Sequence, residues 1–89
     1  MIFNVYATKD KKSTYSTDLL LLQSDELAKR HFGNLIQSLS ASSDVPLIIR
    51  YPDDFELYRI GKYDCNNGHL SANSPEFIVG AADFLKVGD

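Results

Sequence analysis

This sequence has no tryptophan, a single cysteine and no excess of positive charge. Each absence narrows what the chain can be. Without tryptophan, five phenylalanines and five tyrosines supply the large apolar contacts. A lone thiol, Cys65, excludes an intrachain disulfide and points to a reducing compartment. His31 and His69 lie too far apart in sequence to make a zinc pattern with it. A nucleophilic pair of Cys65 and His69 is conceivable. The segment reads as a tight turn without an oxyanion-hole signature, however, so a loop thiol of no chemical consequence is the plainer account. Twelve acidic against nine basic residues leave a net charge of −3. A sequence-blind nucleic-acid coat usually carries a strong positive field, which this chain lacks as a whole. No apolar run approaches the roughly 20 residues of a membrane helix, and Leu19 to Leu22 is the longest leucine block. Met1-Ile2-Phe3-Asn4 enters apolar alternation directly, so no secretory signal is expected.

What is present is ordinary globular material: 89 residues, 44% hydrophobic and 24% charged, expected to form one domain over 1–89. Ile2, Phe3, Val5 and Tyr6 read as a strand with apolar groups on both faces, hence central. Lys9 to Ser13 is a charged turn. Tyr15 to Gln23 resumes as a second strand, with Leu19 to Leu22 its most buried part, and so short a connection requires antiparallel pairing. Ser24 then caps a helix whose first turn carries Asp25 and Glu26. Leu27, Ala28, Phe32, Leu35, Ile36 and Leu39 form its apolar stripe. Gly33 costs about 1 kcal/mol there relative to alanine and permits close approach to the sheet.

Ser40 to Pro46 is a polar loop. Leu47 to Tyr51 is expected to be extended, as an edge strand or a lead-in arm, with Pro52 keeping Tyr51 out of helical geometry. The run from Tyr51 to Asp64 is the central strand of the plan. Phe55 and Leu57 lie two apart, whereas Ile60 and Tyr63 follow at steps of three, so a bulge is expected near Arg59 to Gly61. Asn67-Gly68 suggests a type I′ hairpin turn into a short strand, His69 to Ser71. Ser74-Pro75-Glu76 repeats helix-start chemistry, and Phe77, Ile78, Ala81, Phe84 and Leu85 fit a short final helix. The expected fold is α+β: a small antiparallel ββαββ sheet packed on one main helix, plus a short C-terminal helix.

Little points to a reaction centre. Asp53, Asp54 and Glu56 cluster, but turn initiation explains the first two without convergent partners. The motifs of phosphate loops, dinucleotide folds, nucleophile elbows and HExxH metalloenzymes are missing. No enzymatic activity, cofactor or metal is expected. For nucleic acid the useful pattern is cations beside aromatics: Lys9, Lys11 and Lys12 with Tyr15, Arg50 beside Tyr51, and Tyr58, Arg59, Lys62 and Tyr63. Bases stack on exposed rings while cations track phosphates. The competing account is that these rings fill the core and the cations solvate the surface. Only a shared sheet face would favour recognition.

Taken together, these pieces resemble a known pattern. Ser24-Asp25-Glu26-Leu27-Ala28-Lys29-Arg30-His31-Phe32 is followed by Tyr51-Pro52-Asp53-Asp54-Phe55-Glu56-Leu57-Tyr58-Arg59-Ile60-Gly61-Lys62-Tyr63-Asp64, Gly68 and Pro75-Glu76-Phe77-Ile78. The chain is similar over nearly its whole length to the small nonstructural protein of gokushoviruses, single-stranded DNA phages of the Microviridae. That resemblance implies a non-enzymatic accessory protein of late genome replication in the host cell cytoplasm. Such a protein engages DNA or the replicative complex, promoting single-stranded DNA synthesis coupled to packaging into the procapsid. Expected partners are single-stranded or replicative-form DNA and phage replication or procapsid proteins. The alternative is a protein–protein adaptor acting without direct DNA contact. A homodimer or higher oligomer is expected in either case, because a small sheet leaves edges to cover.

Overall fold

The structure, a computed structural model, describes residues 1–85. Strands β1 (Ile2–Asp10), β2 (Leu20–Leu22), β3 (Phe55–Asp64) and β4 (His69–Gly80) form one antiparallel sheet in the order β2-β1-β3-β4. Helix α1 (Asp25–Ser40) lies on one face. The α+β architecture and its single main helix are therefore as the sequence implies.

The apolar residues on both faces of β1 do mark a central strand. It runs on through Lys9 and Asp10 instead of turning there, because Lys9 pairs with Glu56 and Asp10 with Phe55 of β3. The second strand is shorter than expected: Leu20–Leu22 pairs with Tyr6–Asn4, and Tyr15 makes only an isolated bridge to Lys9. Between them the Ser16 hydroxyl accepts from the Asp18 N–H at 2.9 Å, a local bond that competes with the ladder. The leucine block is not the most buried part of this segment. Alternation turns Leu20 and Leu22 toward the core and leaves Leu19 and Leu21 exposed.

Helix α1 starts as its sequence indicates. The Ser24 hydroxyl accepts from the Leu27 N–H at 3.2 Å, with Asp25 and Glu26 in the first turn. Its buried face is narrower than the expected stripe: Ala28, Phe32, Gly33 and Ile36 are buried, while Leu27 and Leu35 are exposed. Gly33 admits the Phe84 ring, not the sheet; a Cβ at this position would come within 2.7 Å of that ring. The core joins Tyr6, Ala28, Phe32, Ile36, Leu57 and Ala81.

Leu47 to Tyr51 is not extended. Pro46, itself extended, precedes a single helical turn, α2 (Leu47–Arg50), which folds Ile48 and Ile49 onto the core. Tyr51 leaves helical geometry at φ −129°, ψ 61° before Pro52, as expected. A 3₁₀ turn (Pro52–Asp54) leads into β3. The bulge falls where the spacing placed it. Val5 pairs with Gly61 and Tyr6 with Arg59, so Ile60 is the extra residue.

The hairpin turn is longer than a type I′ turn. Four residues, Cys65 to Gly68, join Asp64 to its partner His69. Among the described residues Gly68, at φ 74°, is the only one with positive φ. Asn67 instead uses its side-chain oxygen to accept from the His69 N–H at 2.9 Å.

The largest departure follows. Ser74 to Gly80 is not helical but continues β4, pairing Glu76 with Arg59, Phe77 with Tyr58 and Val79 with Leu57. Pro75 falls in the irregular stretch between the Gly61–Ala72 and Arg59–Glu76 pairs, where a missing N–H costs no ladder bond. What remains of the expected C-terminal helix is one 3₁₀ turn, Ala81–Phe84. No helix among the described residues is long and apolar enough to cross a membrane.

A candidate interface on the open sheet face

Because α1 covers only one face of the sheet, the side chains alternating away from it define the other. Three cross-strand rows follow from the register: Phe3–Tyr63–Leu70, then Leu21–Val5–Gly61–Ala72, then Ala7–Tyr58–Phe77. Leu19 joins the second row from just before β2, lining the same groove as Leu21, Ile60 and Leu70. Phe77 is 55% exposed and Leu70 65%, so this face is uncovered where β4 passes.

At one end the face is aromatic. The Tyr58 ring is packed edge-on between Tyr15, with centroids 5.7 Å apart, and Phe77, at 6.0 Å. The Lys9 ammonium stands 5.3 Å from the Tyr15 ring centroid and 6.0 Å from that of Tyr58, both within cation–π range. The Tyr58 hydroxyl donates to Glu56 at 2.8 Å; this bond raises the Tyr58 pKa, and burial adds to it. Lys11 lies 3.4 Å from the other Glu56 oxygen. Lys12 is exposed on the adjoining turn, its N–H donating to Asp10.

Of the nine residues singled out in the sequence, Lys9, Tyr15 and Tyr58 come together here, with Lys11 and Lys12 beside them. Tyr63 shares the face but sits two rows away, against the apolar groove. Arg59 and Lys62 do not share it. Lys62 pairs with Asn4, whose side chain, bonded to Tyr6, points to the helix side. Arg59 is held between Asp25 and Glu76, at 2.5 Å from each. Arg50 belongs to α2, its Nε donating to the Val45 carbonyl. Phe77 is absent from that set because its segment reads as helix, and no local signal marks it: the register shifts between Leu57–Val79 and Tyr58–Phe77, which puts Val79 on the core and Phe77 on the open face.

Arg59 is part of a structural network on the helix side. The buried Tyr6 hydroxyl donates to Asp25 at 2.7 Å and accepts from Asn4 at 3.0 Å. Burial, and then the bond to Asp25, push the Tyr6 pKa up to about 12. For Asp25, burial works toward a higher pKa, but the bonds from Tyr6 and Arg59 outweigh it and hold the carboxyl below the usual range. His31, Cys65 and His69 form no cluster, and among the described residues no group of three or more His, Cys, Asp or Glu side chains is placed to hold a metal.

Fold and surface together define a small α+β protein with one sheet face buried under a helix and the other left open as an aromatic and apolar surface. Residues 3–84 match the model of the Phage ORF5 protein family. The chain belongs to that family and is a phage protein. No curated protein and no solved structure matches it.

Proposed function

We propose that this phage protein is a non-enzymatic accessory factor of late genome replication that binds single-stranded DNA on its open sheet face. In this reading it promotes single-stranded DNA synthesis and packaging in the host cytoplasm, as the likeness to gokushovirus nonstructural proteins implies. One observation carries the reading: Lys9 stands over Tyr15 and Tyr58 on an uncovered face that continues to Phe77. Exposed rings on a sheet give bases a stacking platform, and a neighbouring ammonium meets the phosphates. Lys11 and Lys12 extend the positive end. The net charge of −3 confines that attraction to this end of the molecule.

Fluorescence anisotropy of a labelled oligonucleotide across a salt series tests it. Affinity should fall steeply as salt rises, and replacing Lys9, Lys11 and Lys12 with glutamine should flatten the slope by roughly two to three phosphate contacts. Phe77→Ala should weaken binding by about 1–3 kcal/mol with little change in slope. Absence of binding even at low salt would end this reading. The adaptor alternative would then stand on a second observation, the uncharged groove around Leu19, Leu21, Ile60 and Leu70.

A further inference from the structure

Glu56 stands among the rings of the open face, and neither stacking nor phosphate contact accounts for it. Its neighbour Leu57 is buried in the core, so alternation puts Glu56 on the same side of β3 as Tyr58. Across the sheet it pairs with Lys9 of β1 and Gly80 of β4. Gly80 brings no side chain, so on that flank the carboxylate borders open surface beside Phe77, its diagonal neighbour. Diagonal neighbours on one sheet face lie about 7–8 Å apart, a gap that a stacked purine spans.

The carboxylate is fixed from two sides. The Tyr58 hydroxyl donates to Oε1 at 2.8 Å, and the Lys11 ammonium stands 3.4 Å from Oε2. Each oxygen therefore has one partner, whereas a carboxylate accepts about four hydrogen bonds in all. The side chain keeps 20% of its surface in solvent, and the spare acceptor sites are reached from there. A negative charge within a surface that attracts phosphates weakens binding to every sequence alike, unless a base edge uses it.

We propose, resting on the nucleic-acid reading above, that Glu56 selects guanine in unpaired DNA: a guanine stacked on Phe77 donates its N1–H and N2–H to the two carboxylate oxygens. Guanine alone among the four bases has two adjacent donors on its pairing edge. Two parallel N–H bonds to one carboxylate repeat the fork that makes arginine–carboxylate pairs strong. Adenine and cytosine offer one amino donor beside a ring-nitrogen acceptor, which the carboxylate repels. Thymine sets its single N–H between two carbonyl acceptors. In a duplex both guanine donors are already paired with cytosine, so the same carboxylate favours single strands. Tyr58 and Lys11 are positioning residues that aim the two oxygens.

Fluorescence anisotropy with an oligothymidine carrying one central guanine tests this, with thymine, adenine, cytosine or inosine at the same position for comparison. Guanine should bind about tenfold more tightly than thymine, within the range of a bidentate base contact. Inosine, which lacks only the N2 amine, should lose most of that gain. Glu56→Gln exchanges one acceptor for a donor yet can still accept from Tyr58, and it should bring guanine level with thymine. A carboxylate that only orients Tyr58 and Lys11 would shift all the oligonucleotides together and leave the guanine-to-thymine ratio unchanged. Equal binding of guanine and thymine by the wild type, inosine as tight as guanine, or a preference that survives Glu56→Gln would each overturn the guanine assignment and leave the stacking reading standing. Failure of every oligonucleotide to bind at low salt would overturn both.

Discussion

Gly61→Ala is expected to destabilise the fold by about 3 kcal/mol, near the upper end for overpacking a well-packed site. A Cβ at this position would sit closer than 3.0 Å to the carbonyl oxygen of Ser71, a backbone atom that no side-chain rotation can move. The only relief is to part β3 from β4 where Gly61 pairs with Ala72, beside the Ile60 bulge. Urea denaturation should show a lower midpoint with an unchanged slope, because the extent of burial stays the same. Gly33→Ala is the natural control. Its Cβ would meet the Phe84 ring, a side chain that can shift, and α1 gains about 1 kcal/mol of helix propensity. A Gly61→Ala protein as stable as the wild type would mean that the two strands are not held this closely.

The second large effect lies at alkaline pH. Tyr6 is fully buried, and its pKa is raised to about 12, by burial first and then by its bond to Asp25. In the unfolded chain the same hydroxyl titrates near 10. Below about pH 10 both states hold the proton, and the stabilisation is fully present. Above it the unfolded state releases the proton first, so stability falls with rising pH and the loss completes as pH passes the folded value. Over that window the loss amounts to about 3 kcal/mol. Urea midpoints at several values between pH 9 and 12 should therefore drop more steeply for the wild type than for Tyr6→Phe. Parallel curves for the two proteins would exclude Tyr6 as the source. The Tyr58 pKa is raised too, mainly by its bond to Glu56, but that contribution is common to both proteins and cancels.

Several elements were legible from residues a few positions apart. Ser24, Asp25 and Glu26 announce α1, and the uneven spacing from Leu57 to Tyr63 announces the bulge, because both signals are local. β4 was not legible. Ser74-Pro75-Glu76 has the local chemistry of a helix start, and what overrides it is pairing with Arg59, Tyr58 and Leu57 about seventeen to twenty-two positions earlier. Four successive leucines from Leu19 likewise cannot say which two face the core; the register against β1 decides. The surface divides in the same way. Lys9, Tyr15 and Tyr58 were identifiable by type, whereas the loss of Arg59 to Asp25, thirty-four positions away, is a tertiary fact.

The pairing of β1 with β3 also sets how this chain reaches its native state. Its partners stand forty-five to sixty-two positions apart, from Asp10 with Phe55 to Ile2 with Asp64. The β3–β4 ribbon closes over four loop residues, an event of about 1–10 μs, whereas a distant pairing of this kind waits on chain diffusion and carries the entropy of a long closure. The ribbon and α1 are therefore expected to assemble early, with the arrival of the amino-terminal strand as the slow step. Until it arrives, the inner margin of β3 offers unmet amide and carbonyl groups to any neighbouring chain, so refolding at high concentration is the condition under which this protein is most exposed to misassembly.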